Sequence, residues 1–225
     1  MKRPVVDYRK LRFSNLNSDE FRHLWYLSFW PIYLISFFLL EAHPLTESYF
    51  AIHCKLDDYI PFLEGFVIPY VFWYVFMFSM HIYTLLYNIP VFKRMMRFFS
   101  ISFGISVFIF IVFPNGQDLR VTEITRDNLL MDIVRGLYAA DTNTNVFPSL
   151  HVVGSLATVF AAWDLPEFSS PIIKTLFLIV GTFTSLSTVF IKQHSFLDVL
   201  GGIAVSVLVY FIVYKIKWKR GVHNG

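Results

Sequence analysis

Two short segments place histidines beside other polar residues in a chain that is otherwise strongly apolar. The first reads Asn-Val-Phe-Pro-Ser-Leu-His and ends at His151, and the second reads Lys-Gln-His-Ser-Phe-Leu-Asp and ends at Asp198. His194 and Asp198 are four residues apart, so their side chains share one face of a helix. A carboxylate there can accept a hydrogen bond from one imidazole nitrogen and leave the other nitrogen free to attack. The second segment therefore predicts a histidine nucleophile.

The first segment predicts the start of a helix that can receive an anion. Pro148 fits the first helical position, where its missing N–H costs nothing. The N–H groups of the first turn, together with the Ser149 hydroxyl, can bind phosphate oxygens, and His151 follows within reach of an anion held there. The alternative interpretation is a capped helix start that carries a histidine at the membrane interface.

The second segment also has simpler interpretations. It can be a capped helix start with an ordinary His–Asp pair, or half of a zinc site. A zinc site needs three or four ligands, and His151 is the only obvious third, so metal binding is the weaker alternative.

The elements that must position these groups are predicted from composition. The 225 residues are 56% hydrophobic and only 16% charged, with 26 Phe, 12 Tyr and 5 Trp. Soluble domains carry about 25% charged residues, so this composition excludes both a soluble globule and a disordered chain. The net charge of +3 gives no sign of a nucleic-acid partner, and the single cysteine, Cys54, excludes an intrachain disulfide.

Six stretches are long and apolar enough to approach the length of a membrane span, which is about 20 residues. They cover residues 24–40, 66–87, 98–113, 148–163, 172–191 and 199–214. The predicted fold is all-α and polytopic, with residues 1–23 as a cytoplasmic N-terminal segment that lacks signal-peptide features. Residues 24–215 form a six-span catalytic membrane domain, and residues 216–225 form a basic cytoplasmic tail.

The basic residues predict the orientation of these spans. Of the 19 Lys and Arg residues, 14 lie before the first span, between the second and third spans, at the start of the fifth span, or after the sixth. All four of these places are on one side of the membrane. This bias places both termini in the cytoplasm. The starts of the fourth and sixth spans then share the outer face with Arg120 and with the long connection 114–147, in which residues 128–138 predict a short interfacial helix. Two histidines, an aspartate and nearby cations at one interface are a set suited to phosphoryl transfer.

The two motifs resemble those of a known family. Pro148-Ser-Leu-His151 resembles the Pro-Ser-x-His motif of the type 2 phosphatidic acid phosphatase superfamily, whose members are membrane lipid phosphatases and phosphotransferases. His194-x-x-x-Asp198 resembles the end of that superfamily's last motif. The resemblance implies that His194 forms a phosphohistidine, that Asp198 orients it, and that His151 is the general acid and then the base. It also implies that Ser149 binds phosphate and that no metal or other cofactor is needed.

The chain departs from the family pattern in its cations. Thr188 stands where the last motif carries Arg, and Phe113 stands where the first motif carries Lys. Arg120 is kept as a candidate for substrate binding, and Lys192, two residues before the predicted nucleophile, is the expected substitute for a missing cation.

The longer strings around the motifs resemble the branch that contains inositol phosphorylceramide synthases and bacterial relatives, and there Tyr138 and Asp141 are candidates for the headgroup site. The resemblance implies an integral membrane lipid phosphatase that hydrolyses a phosphomonoester or diphosphate headgroup of a phospholipid or isoprenoid at the extracytoplasmic face. The alternatives are a lipid headgroup phosphotransferase, a non-catalytic phospholipid binder or transporter, and a metal-dependent hydrolase. The expected location is a bacterial-type plasma membrane. The expected partners are the bilayer and the lipid substrate, with homo-oligomerisation left open.

Overall fold

The structure is a computed structural model that describes residues 3–43, 46, 48–122 and 126–216. Its described part is mostly helical. The α-helices there are α1 Phe29–Ala42, α2 Lys55–Tyr59, α3 Val67–Tyr87, α4 Ile89–Val112, α5 Leu129–Ala140, α6 Leu150–Asp164, α7 Pro171–Phe190 and α8 Phe196–Tyr210. Short 3-10 segments cover Tyr8–Lys10, Phe13–Asn15, Arg22–Ser28, Glu64–Phe66 and Pro166–Phe168, and a π-helical turn, Phe211–Lys215, extends α8.

Five helical stretches in the described chain are long and apolar enough to cross a membrane. They are Arg22–Ala42, Glu64–Tyr87, Ile89–Val112, Pro171–Phe190 and Phe196–Lys215. These helices support an integral membrane protein. The predicted fourth span is α6, whose 15 residues rise about 22 Å against a hydrocarbon core of about 30 Å. The count of six spans therefore stays a prediction.

Helix α6 is nevertheless the centre of the bundle, because it packs against α3, α4, α7 and α8. Small residues allow this close packing: a Cβ atom added at Gly154 would lie 2.6 Å from the Trp73 ring. The hydroxyls of Ser155 on α6 and Thr184 on α7 hydrogen bond at 2.8 Å. The helix that carries His151 is thus fixed on all sides by protein.

The predicted third span begins too late. Lys93, Arg94 and Arg97 were expected in a connection, but α4 begins at Ile89 and includes all three. Asn88 caps this helix by accepting a hydrogen bond from the Val91 N–H at 3.2 Å. Arg94 Nε donates to Asp164 at 2.5 Å, so its charge is paired and does not end the helix.

Of two regions outside the spans, one departs from the all-helical prediction and the other agrees with it. Residues Phe50–Ala51 (β1) pair in parallel with Asn115–Gly116 (β2), and this short ladder ties the segment after α1 to the start of the long outer connection. The helix predicted over 128–138 is present as α5, whereas its position at the membrane interface stays a prediction.

The N-terminal segment is docked on the bundle. The Val5 N–H donates to the Leu86 carbonyl at 2.8 Å, and the Tyr8 hydroxyl donates to the Leu85 carbonyl at 2.9 Å. At the other end of the chain, the predicted basic tail lies outside the described residues from residue 217 to residue 225.

Candidate active site

His194 lies in the short connection between α7 and α8, beside the start of α8. Its Nδ1–H donates to Asp198 Oδ2 at 3.1 Å, and the same oxygen accepts the Ser195 N–H at 2.9 Å. Asp198 is fully buried, so the carboxylate cannot turn away to solvent. Because the bond to Asp198 occupies Nδ1, Nε2 is the ring nitrogen left to act as a nucleophile. The hydrogen bond predicted from the four-residue spacing is present, although His194 precedes α8 and does not lie on a face of that helix.

His151 lies on the first turn of α6 and faces His194. Its ring stacks on Tyr70 and packs against Trp73, both at 4.3 Å between ring centroids. The centroids of the two histidine rings are 6.0 Å apart. Nε2 of His151 is buried and has no hydrogen-bond partner in the described structure. An unpaired ring nitrogen opposite a second imidazole is an arrangement that acid–base chemistry can use.

Ser149 occupies the N-cap position of α6, which begins at Leu150, but its side chain makes no capping hydrogen bond. The prediction that Pro148 is the first helical residue is therefore wrong by two positions. The physical reason is that the Ser149 N–H donates to the backbone oxygen of Asp198 at 3.0 Å, which holds residue 149 in an extended conformation. The Ser149 hydroxyl is buried and without a partner among the described groups.

A cavity of about 420 Å³ extends from the two histidines between α1 and α3. Four side chains both line it and are exposed at the bundle surface, namely Leu34 and Phe38 on α1 and Tyr74 and Phe78 on α3. The cavity thus opens sideways through apolar side chains, toward the surface that faces lipid if the bundle spans a membrane. Gln193, Glu41 and Asp141 add polar groups to its wall.

Arg120 is close to the site, although it is not among the described residues that line the cavity. Its guanidinium donates to the carbonyl oxygens of Tyr138 and Asp141 at 3.0 Å and to that of Thr142 at 2.6 Å. It also donates to Gln193 Oε1 at 2.7 Å and lies 4.9 Å from the centre of the Tyr138 ring. Arg120 therefore joins the end of α5 to the residue before His194.

Lys192 is directed away from the cavity. Its Nζ donates to the backbone oxygen of Asp57 at 2.8 Å. Burial lowers the pKa of Lys192, and the carboxylates of Asp57 and Asp58 oppose that shift. In this conformation Lys192 binds protein and does not replace the missing motif cation inside the cavity.

Tyr138 and Asp141 have different positions. The Tyr138 hydroxyl donates to the Ile191 backbone oxygen at 2.6 Å and so supports the turn that carries His194. Asp141 lines the cavity directly. Burial raises the pKa of the Asp141 carboxyl, while the electrostatic effects of His194 and Arg120 oppose that rise.

Asp57 is a site residue that the sequence did not reveal. Its two carboxylate oxygens accept from the Ser195 hydroxyl at 2.6 Å, the Phe196 N–H at 2.7 Å and the Cys54 N–H at 2.8 Å. Burial acts to raise the pKa of Asp57, but these hydrogen bonds outweigh it and the pKa is lowered. Asp57 thereby fixes the start of α8 from a segment more than a hundred residues away.

The donor set gives little support to a metal centre. Within the described ranges, no group of three or more His, Cys, Asp or Glu residues is placed to hold a metal ion. The pair of His194 and Asp198 is joined by its own hydrogen bond.

The fold and the site together define a helical, membrane-type protein with an opposed histidine pair beside a laterally open cavity. The sequence model of the PAP2 superfamily matches residues 131–221, less than half of the chain, and this match supports that superfamily. PAP2 superfamily members are generally phosphatases or phosphotransferases. The matched range contains both histidines and Asp198 but not Arg120. Comparisons with curated proteins and with solved structures gave no match.

Proposed function

We propose that this protein is an integral membrane enzyme that cleaves a phosphorylated lipid at its phosphorus–oxygen bond through a phosphohistidine at His194. The observation that carries this proposal is the pair of histidine rings 6.0 Å apart, with His194 held by Asp198 and both rings lining one cavity. A tetrahedral phosphoryl group fits between two such rings, with one nitrogen on each side of the phosphorus.

The proposed reaction has two steps. His194 Nε2 attacks phosphorus, and the bond to the lipid oxygen breaks as His151 gives that oxygen a proton. Asp198 stabilises the positive charge that develops on the His194 ring. His151 then takes a proton from water, which attacks the phosphohistidine and releases His194.

Phosphate binding in this proposal relies on the start of α6 rather than on a cluster of cations. The first-turn N–H groups carry the positive end of the helix dipole, and Ser149 and Gln193 add unpaired polar atoms close by. Arg120 contributes charge from behind Gln193. No metal takes part in the proposed steps.

Hydrolysis is the first candidate and headgroup transfer the second. The sideways opening of the cavity favours the second as well, because it lets a lipid alcohol reach the histidines by the same path as the substrate. Supplying diacylglycerol or ceramide beside water and following a labelled headgroup separates the two reactions.

The six-span arrangement is part of the proposal. Helix α6 is enclosed by four helices and starts at the same end of the bundle as α8, so we infer that it is a sixth, short span. An even number of spans puts both termini on one side, and the excess of basic residues makes that side the cytoplasm. Reporter fusions to the two termini test this orientation.

Substitution of His194 by Ala in the purified, lipid-reconstituted protein tests the mechanism. We expect activity on a panel of phospholipids and isoprenyl phosphates to fall by about 10⁴-fold or more. His53→Ala is the matched control, because His53 also bonds an aspartate, Asp58 at 2.7 Å, but lies at the surface away from the cavity. Persistent turnover in the His194 variant, with or without chelator, contradicts the proposed nucleophile.

A further inference from the structure

We propose that the cavity selects a lipid headgroup that carries an ammonium group, as in a phosphodiester of choline or ethanolamine. The inference rests on the proposed function and names the class of its substrate. The ammonium group binds between Glu41 and Asp141, and the phosphodiester lies at the histidine end.

The charges of the cavity wall are the first argument. Glu41 at the end of α1 and Asp141 after α5 both line the cavity, and no Lys or Arg is among the described lining residues. The two carboxylates also interact electrostatically with each other. A phosphomonoester would bring about two more negative charges into this wall, whereas an ammonium phosphodiester brings no net charge. A bound cation between the carboxylates relieves their repulsion.

The partners of Glu41 leave its charge uncompensated. Its carboxylate accepts a hydrogen bond from Asn145 Nδ2 at 2.5 Å and another from the Thr142 hydroxyl, and both donors are neutral. The ion pairs that the structure describes do not include Glu41 or Asp141. The Arg120 hydrogen bonds go to backbone oxygens and to Gln193. Arg120 and His194 act electrostatically on Asp141, but the described donors to Glu41 are neutral, so a ligand cation is the available counter-ion for Glu41.

Aromatic side chains line the same cavity. Tyr33, Tyr70 and Tyr74 are among its lining residues, together with Glu41 and Asp141. Aromatic faces attract ammonium groups, and cages of such rings are used to bind quaternary ammonium ligands.

A second, independent feature indicates where the phosphate lies. Gln193 is only 2% exposed, lines the cavity, and has an Nε2 group with no partner in the described structure. A buried amide donor of this kind needs an acceptor. The oxygen atoms of a phosphodiester beside His194 supply one, so the phosphate lies beside the histidines and the ammonium group lies between Glu41 and Asp141 in the same cavity.

The group transfer balances for this substrate without further reagents. His194 Nε2 bonds to phosphorus, the bond to the diacylglycerol oxygen breaks, and that oxygen takes the His151 proton. The phosphorylated aminoalcohol then stays on His194 until water or an alcohol attacks and returns a proton to His151. The ammonium group takes no part in bond making.

The experiment compares two lipids that differ only in the charge of the headgroup. One is a short-chain phosphatidylcholine, and the other carries 3,3-dimethylbutyl in place of choline, so that a carbon atom replaces the charged nitrogen. We expect wild-type kcat/KM to favour the choline lipid by about tenfold or more. Glu41→Gln and Asp141→Asn should bring that ratio close to one. Glu64→Gln is the matched control, because Glu64 pairs with Arg126 at 2.6 Å and does not line the cavity.

The ratio is insensitive to partial unfolding, because both lipids see the same fraction of folded enzyme. An equal rate on both lipids, a preference for the uncharged lipid or for phosphatidic acid, or an unchanged ratio in both variants overturns the inference and leaves the proposed function standing. If no lipid is turned over, the proposed function fails. Binding of the two lipids, followed by the fluorescence of Trp30 and Trp73 in the cavity wall, then decides the inference alone.

Discussion

The turn before α8, which carries His194, and helix α1 border the same cavity, but the protein holds them in opposite ways. The start of α8 is fixed by Ser195, Asp198 and Asp57, all of them buried. Helix α1 buries none of its residues and packs mainly on α4 and on the segment Arg22–Ser28. We infer from this difference in burial that the turn carrying the proposed nucleophile is rigid and that the wall formed by α1 is more loosely attached.

This difference separates two tasks. Phosphoryl transfer requires the reacting atoms to be held within a fraction of an ångström, and a displacement of about 1 Å can cost about 100-fold in rate. Accommodation of acyl chains requires only a flexible apolar surface. We infer that the bundle core supplies the chemistry and that α1 supplies the fit to lipid.

Among the substitutions considered, removal of the Asp57 side chain is expected to have the largest effect on stability and on kcat. Asp57→Ala leaves the Phe196 and Cys54 N–H groups and the Ser195 hydroxyl without their acceptor, and each unsatisfied buried group costs about 1–3 kcal/mol. We expect the unfolding free energy to fall by about 3 kcal/mol and kcat to fall by about 10–100-fold with KM little changed. Thermal unfolding in detergent and steady-state kinetics measure the two effects.

The matched control is the neighbouring residue Asp58, which is exposed and bonds only the surface residue His53 among the described contacts. Asp58→Ala should change stability by less than about 0.5 kcal/mol. The pKa of Asp57 is lowered by folding, so its contribution is fully present above the unfolded pKa of 3.8 and is lost as the pH falls through the lower folded pKa. Equal effects of the two variants on kcat would contradict a positioning role for Asp57.

A smaller effect is expected from Gly202, where α8 lies closest to the start of α6. A Cβ atom at this position would meet Val152 Cβ at 2.8 Å and the Ser149 backbone oxygen at 2.9 Å. Gly202→Ala should separate the two helices, destabilise the protein by about 1–3 kcal/mol and lower kcat by about tenfold. The loss of kcat follows from a longer distance between His151 and His194.

Gly104 provides the control for Gly202, because a Cβ atom there meets nothing within 4 Å and the residue lies inside α4. Gly104→Ala should leave kcat unchanged and raise stability by up to about 1 kcal/mol. A Gly202 variant with wild-type kcat would show that the spacing of the two helix starts tolerates more change than the site implies.

The local part of the site was predictable from the sequence, since it depends on spacing within one helix start. His194 and Asp198 are four residues apart and bond as expected. Whether Arg120 and Lys192 bind substrate was not predictable, because a basic residue on the correct side of the membrane can point toward a ligand or toward protein. In the structure both donate to backbone oxygens.

Contacts between residues far apart in the sequence could not be predicted from local spacing either. Glu41 and Asp57 meet their partners across 104 and 138 positions of sequence, and neither position carries a local pattern. Composition alone also did not reveal that the predicted fourth span is only 15 residues long and is enclosed by four other helices. Composition gave the class of fold correctly, while tertiary contacts decided the polar wall of the cavity.

The smallest effect on activity is expected from a substitution in α1. Phe38 lines the cavity and is 63% exposed, so its ring contributes to the lipid path without being part of the core. Phe38→Ala should leave stability within about 0.5 kcal/mol and kcat unchanged, and should raise KM for long-chain lipids by about threefold. Leu39→Ala is the control, because Leu39 is adjacent and 56% exposed but is not among the described lining residues.

The comparison depends on which kinetic constant changes. If Phe38→Ala lowers kcat rather than raising KM, α1 helps to hold the reacting atoms, and the division between a rigid chemical wall and an adaptable lipid wall is wrong. If KM rises for long acyl chains but not for short ones, the apolar contact lies along the chain and away from the headgroup. That result would separate the lipid path along α1 from the headgroup site beside the histidines within one cavity.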